Sequence, residues 1–195
     1  MSESLAVLID HDATEANATA IGESIIDALV AEGCILPTPN SKCVLTGEGF
    51  PPGPRLNEIY GYGDAELRYW DMLTNCGVKV HAQRYVNFWA FPVFESAECP
   101  ACEVAQCEDE VFFDGLYECV SMFMNDGVAP DIHCPACGNP HPGKQWKCTP
   151  DVGISFLAIE FWNWPPFDAT GWKVSVPKMI EERTNRTLST SWGRM

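Results

Sequence analysis

Residues 99–102 read Cys-Pro-Ala-Cys, and residues 134–138 read Cys-Pro-Ala-Cys-Gly. A Cys-x2-Cys pair folds into a tight knuckle whose two thiolates reach the same point. Two such pairs supply four soft ligands, which is what a closed tetrahedral zinc site requires. The expected ligands are Cys99, Cys102, Cys134 and Cys137, holding one structural zinc per chain. The proline inside each pair restricts the turn before any ion binds. Gly138 lets the backbone turn back after the second ligand, whereas the first pair carries Glu103 at that place. A shell of four thiolates is full and leaves no position for a catalytic water.

Other uses of paired cysteines fit less well. A dithiol catalyst needs one Cys-x2-Cys at a helix start, and two identical pairs would each need that setting. Iron–sulfur ligation usually shows a different spacing. Cys107, Cys148, His133 and His141 lie near enough in sequence to replace a ligand. Cys34, Cys43, Cys76 and Cys119 read as small core residues.

These two knuckles resemble the halves of a zinc ribbon, over residues 99–137 only. The spacer between Cys102 and Cys134 is longer than in the simple pattern. A helix of about Glu108 to Asn125, with Phe113, Leu116, Val120 and Phe123 as its buried stripe, accounts for the difference. As a whole, the chain looks like small bacterial proteins that bear a zinc ribbon, a likeness that implies no particular activity.

Outward from this module the pattern is globular. Leu5 to Ile9 predicts a strand. Asp12 with Glu15 reads as a capping box for a helix carrying Ile21, Ile25 and Leu29 and stopping at Gly33. Residues 34–63 are rich in Pro and Gly and predict a long ordered loop with one short strand near Cys43 to Leu45. A second helix is expected from Asp64, with Leu67, Trp70 and Leu73 on one face. Strands follow over Val78 to Phe91 and Ile154 to Trp164, and a short one over Lys173 to Val176. Pro177 opens a helix to Asn185, and Thr187 to Trp192 makes a final strand. The expected fold is α+β: a mixed or mainly antiparallel sheet with flanking helices. It forms a single domain over 1–195, into which residues 95–150 are inserted as the zinc-binding module.

The charge balance narrows the function classes. The chain of 195 residues has a formal net charge of -15 and a hydrophobic fraction of 46%. No Lys or Arg occurs from Tyr85 to Gly143, a stretch that includes Glu95, Glu98, Glu103, Asp114 and Glu118. Binding nucleic acid through counterion release needs clustered Lys and Arg, so nucleic acid is not expected as a partner. No run approaches the roughly 18 apolar residues of a membrane helix. The start MSESLAVLID lacks the basic region of a secretory signal, so a soluble, cytoplasmic protein is expected.

Two stretches imitate three catalytic or binding motifs. Asp10-His11-Asp12-Ala13-Thr14 resembles the first motif of haloacid-dehalogenase-like phosphatases. That resemblance implies Asp10 as nucleophile, Asp12 as general acid/base, and magnesium. The same strand–Asp–helix start resembles PIN-like nucleases of the NYN type. For the phosphatase, the acidic pair that holds the metal would come from Asp64 and Asp71. Gly138 to Gln145 imitates a P-loop, but Pro140 and Pro142 have no N–H to offer a phosphate and Gln145 replaces the metal-binding hydroxyl. The four histidines, His11, His81, His133 and His141, read as polar surface or turn residues.

Phe161-Trp162-Asn163-Trp164 either fills the core of a central strand or anchors an interface. Phe88-Trp89-Ala90-Phe91 poses the same choice. Asn87 and Asn163, set among these aromatics, would orient a ligand in the second case. The expected function is non-enzymatic: a zinc-stabilised acidic module that binds a protein with a basic surface, of antitoxin, immunity or adaptor type. Trp162, Trp164, Glu108, Asp109 and Glu110 are its candidate partner-binding residues. The alternative is a small magnesium-dependent hydrolase or phosphatase using Asp10 and Asp12.

Overall fold

A computed structural model describes residues 3–61, 73–87, 95–107, 109–149 and 152–194. The helix expected from Asp64, the candidate acids Asp64 and Asp71, and the segment Phe88 to Phe91 fall outside them.

The chain begins with strand β1 (Ser4–Ile9), helices α1 (Ala18–Ala31) and α2 (Leu56–Tyr60), and strand β2 (Gly77–His81). Next come β3 (Tyr85–Val86), β4 (Ser96–Glu98), β5 (Ala105–Gln106) and α3 (Glu110–Asp126). Strands β6 (Asp131–His133), β7 (Pro140–Pro142), β8 (Lys147–Thr149) and β9 (Ile154–Ser155) follow. The chain closes with β10 (Ala158–Trp162), α4 (Val176–Thr184) and β11 (Ser189–Arg194). Among the described residues every strand pairing is antiparallel. The fold is α+β.

Two compact units divide these elements. The first is Met1–Gln83 with Phe156–Met195; the second is Arg84–Ser155, and residues 95–150 lie within it.

In the first unit a four-stranded sheet has the order β11-β1-β10-β2. Its inner strands, β1 and β10, are mostly apolar and buried on both faces, with Glu160 as the buried charged residue of β10. Leu8 and Ile159 are directly paired, as are Ala6 and Phe161. These residues share one core with Ile25 and Leu29 of α1 and Ile180 of α4. Fully burying each large aliphatic or aromatic side chain contributes roughly 1.5–3 kcal/mol.

The central position of β10 corrects the interface reading of its aromatics. Trp162 and Trp164 are only 5% and 1% exposed. Trp164 packs edge-on to Phe161 at 5.0 Å between ring centroids, and the Trp162 indole donates to Glu160 Oε2 at 3.0 Å. Neither tryptophan presents a surface to a partner. Asn163, with φ of 54°, ties the sheet instead of orienting a ligand: Ser4 N donates to its Oδ1 at 2.8 Å, and its own amide donates to Ser4 O at 2.8 Å.

Helix α1 starts later than the capping-box pattern predicts. Its N-cap is Asn17, not Asp12, because Asp10 captures the local donors. The Asp12 amide donates to Asp10 Oδ1 at 3.0 Å, folding a turn where a helix would begin. The C-terminal stop is as expected. Gly33, at φ of 69°, donates to Val30 O, and the Cys34 amide reaches Leu29 O at 2.9 Å.

The loop over 34–61 contains bridges Ile35↔Pro52 and Asn40↔Gly49 and the short helix α2, with no strand at Cys43 to Leu45. Lys173 to Ser175 is likewise not a strand; Ser175 caps α4, its hydroxyl accepting from Lys178 N.

Asp10 is fully buried at the end of β1 and receives a two-pronged ion pair from Arg186, in the segment between α4 and β11. Arg186 Nε lies 2.6 Å from Oδ2, and its Nη2 2.7 Å from Oδ1. Removing one member of a buried pair leaves the other without compensation. The Arg186 side chain keeps 24% exposure, but that of Asp10 keeps 1%. Arg186→Met should therefore destabilise the protein by about 3 kcal/mol or more. Asp10→Ala should cost less, because the stranded guanidinium can reach water. Urea unfolding of both variants checks the order; a larger loss in Asp10→Ala would refute this assignment of the buried charge.

Candidate metal centre

Two hairpins of the second unit carry the four cysteines. Strand β4 runs into Cys99 and β5 leads away; β6 runs into Cys134 and β7 leads away. The turns match bond for bond. The amide of the first cysteine donates to the carbonyl five residues on: Cys99 to Val104 at 3.2 Å and Cys134 to Asn139 at 2.9 Å. The amide four residues on donates back, Glu103 to Cys99 O at 3.0 Å and Gly138 to Cys134 O at 2.8 Å. The flanking registers also match, Glu98 opposite Ala105 and His133 opposite Pro140.

The turns converge on one point, with all four sulfurs within 4.8 Å of one another. Cys99 Sγ lies 4.0 Å from Cys137 Sγ, and Cys102 Sγ 3.7 Å from Cys134 Sγ. A tetrahedron with metal–sulfur bonds of about 2.3 Å has edges of about 3.8 Å. The spacing is therefore that of four ligands around one ion, and all ten cysteines are free of disulfides. Cys99 and Cys134 are buried and the other two half-buried. Cys107, Cys148, His133 and His141 do not belong to the cluster.

Crowding shapes the chemistry of the sulfurs. Burial works against a Cys99 thiolate, but the amides of Cys102 and Ala101 and the neighbouring Cys102 and Cys134 thiols bring its pKa down to about 6. At Cys102 the Val104 amide favours the thiolate. Desolvation and the other three sulfurs outweigh it and push the pKa up to about 12. One sulfur in the cluster ionises readily and another resists, and a bound cation removes that conflict.

Helix α3 separates the two hairpins in sequence. Asp109 caps it, accepting from Phe112 N at 2.9 Å, and Gly127 at φ of 74° ends it. Arg84 donates to the carbonyls of Met124 and Asn125 at the negative end of the helix. The buried stripe is Phe112, Leu116, Cys119, Val120 and Phe123. Phe112, not the expected Phe113, is the first buried position, and it packs on Trp146 at 4.6 Å.

The remaining candidate residues do not join this centre. Glu108 lies outside the described residues, Asp109 is the helix cap, and Glu110 is exposed in the first turn. The carboxylate of Asp10 is occupied by Arg186 and the Asp12 amide, and Asp12 is exposed. Among the described residues the four sulfurs form the one cluster of three or more metal-ligating side chains. The stretch that imitates a P-loop forms β7 and a 3-10 turn at Gly143–Gln145, with no strand feeding it from a parallel sheet.

Compared with known proteins, the chain matches no family model, no curated protein and no solved structure.

The two knuckles differ at one informative position. Glu103 has φ of 59° and Gly138 φ of 74°, so both occupy the left-handed region. Only glycine does so without steric cost. Glu103→Gly should stabilise the protein by about 0.5–1 kcal/mol, and Gly138→Ala should destabilise it by about 1 kcal/mol. The latter effect is conformational, since no atom lies within 4 Å of an added Cβ at Gly138. Thermal unfolding of the metal-loaded variants measures both; a loss of stability in Glu103→Gly would contradict the matched-turn geometry.

Proposed function

We propose that this chain is a zinc-stabilised, non-enzymatic interaction protein that offers an acidic surface to a protein with a basic one. The observation that carries the reading is the four-sulfur tetrahedron. Thiolates of this number and spacing suit zinc, and they leave it no open position for substrate or water. One zinc per chain then staples the two hairpins. The ion is structural, and function passes to the surface around it.

The ion pairs support the second half of the reading. In the first unit Glu32 faces Arg55 and Arg183, Glu58 faces Arg55, and Asp10 faces Arg186. In the second unit Lys147 faces Glu98. Its remaining acids carry surplus charge that speeds and selects association with a basic partner. An antitoxin, immunity protein or adaptor uses such a surface. The alternative hydrolase needs a free Asp10 carboxylate, which Arg186 holds instead.

Elemental analysis should return close to one zinc per chain, and Cys134→Ser should lose the zinc and loosen the second unit. Bound zinc should fall as the pH is lowered, because protons compete for each sulfur. Immobilised protein should retain a basic protein from the host extract, with retention falling as salt rises. Full zinc in Cys134→Ser would overturn the ligand set. No retained protein, together with Asp10-dependent turnover of a phosphate ester, would overturn the interaction role.

A further inference from the structure

Helix α3 and strand β6 do not close against each other along their whole length. Between them runs a groove of about 560 Å³, entirely within the second unit. Val111, Phe112, Gly115 and Ile132 give it an apolar floor, and Asp109, Glu118 and Asp131 stand at its sides. Val111 is 82% exposed, far more than an aliphatic side chain needs to be in the first turn of an amphipathic helix.

Gly115 keeps the groove open. A glycine inside a helix is about 0.5–1 kcal/mol less favourable than alanine, so it usually has a packing reason. Here it has none of the ordinary kind. An added Cβ would meet only Ile132 Cγ2, at 4.0 Å, whereas Gly22 of α1 has Val80 Cγ1 at 3.0 Å. Val111, Gly115, Glu118 and Met122 follow at i, i+4, i+7 and i+11, one stripe of α3 facing the groove. The missing side chain leaves a hollow in the middle of that stripe.

Among the described residues no Lys or Arg pairs with Glu118 or Asp131, and none occurs in the sequence from 85 to 143. Arg84 is turned to the far end of α3, on the Met124 and Asn125 carbonyls.

We infer that this groove seats a short segment of a basic protein, with one aliphatic side chain over Gly115 and flanking Lys or Arg residues against Glu118 and Asp131. The apolar floor selects the anchor, and the acids select its neighbours. This rests on the interaction reading above and names its docking site.

The probe is the peptide Lys-Arg-Leu-Arg-Lys, titrated into the zinc-loaded full chain and followed by NMR. Signals of Val111, Gly115 and Ile132 should shift. The same peptide with Gly for Leu should bind about tenfold weaker. Gly115→Leu fills the hollow and should abolish the shifts. The double variant Glu118→Lys with Asp131→Lys, at two exposed positions, should abolish them too, and unchanged zinc content shows that each variant is folded. Shifts confined to other residues, or equal binding by both variants, would overturn the proposal, as would equal displacement by spermidine, which marks a site for any cation. If both variants still retain the basic host protein, the groove is wrong and the interaction role stands. If the unaltered chain retains none and turns over a phosphate ester through Asp10, the role itself fails.

Discussion

Four sulfurs meeting at one point are the constraint on which the second unit rests. Among the described residues its strands are two or three residues long, and strands that short do not hold a sheet by themselves. The hairpins β4–β5 and β6–β7 are separated by the seventeen-residue helix α3, and within each knuckle only two backbone hydrogen bonds fix the turn. The hairpins meet where the four sulfurs lie within 4.8 Å of one another, the spacing of ligands around one cation. The core of α3, with Phe112 on Trp146, then sets the distance between them.

The matched geometry of the knuckles shows how much of this is backbone and how much is side chain. The same donor and acceptor positions recur in both turns although Glu103 stands where the second has Gly138. A residue with a side chain is held in the left-handed region because the surrounding bonds determine it, Glu103 N to Cys99 O on one side and Cys99 N to Val104 O on the other. The backbone bonds of the knuckle set the conformation, and the residue at the turn conforms to it.

This hierarchy explains what could be read from the sequence. The convergence of Cys99, Cys102, Cys134 and Cys137 was legible because metal chemistry fixes both residue type and local spacing. Helices α3 and α4 were legible because apolar period, Asp109, Ser175 and Pro177 are local signals. The start of α1 was not, because Asp12 and Glu15 form a plausible cap until Asp10, held by Arg186 from 176 residues away, takes the Asp12 amide. The apolar runs Val78 to Phe91 and Ile154 to Trp164 read as continuous strands. Each in fact crosses from one compact unit to the other, and its described parts pair in two different sheets. Periodicity reports which residues want burial, not which strand will bury them. Trp162 and Trp164 illustrate the point: the place of β10 between β1 and β2 buries Trp162, and packing on Phe161 and Trp172 buries Trp164.

Acidity alone would be an argument for solubility. Its distribution makes a stronger case, because the two units manage charge differently. In the first, bases lie opposite acids that are distant in sequence, Arg183 against Glu32 and Arg186 against Asp10. In the second, the sequence withholds Lys and Arg across the hairpins and the helix, and the carboxylates around α3 keep their field. A stapled unit that neither neutralises its own charge nor fills the hollow at Gly115 gives up local stability in two independent ways at one surface. In the proposed complex both losses would be recovered by the same event, the arrival of a partner that brings a cationic group and an apolar side chain together.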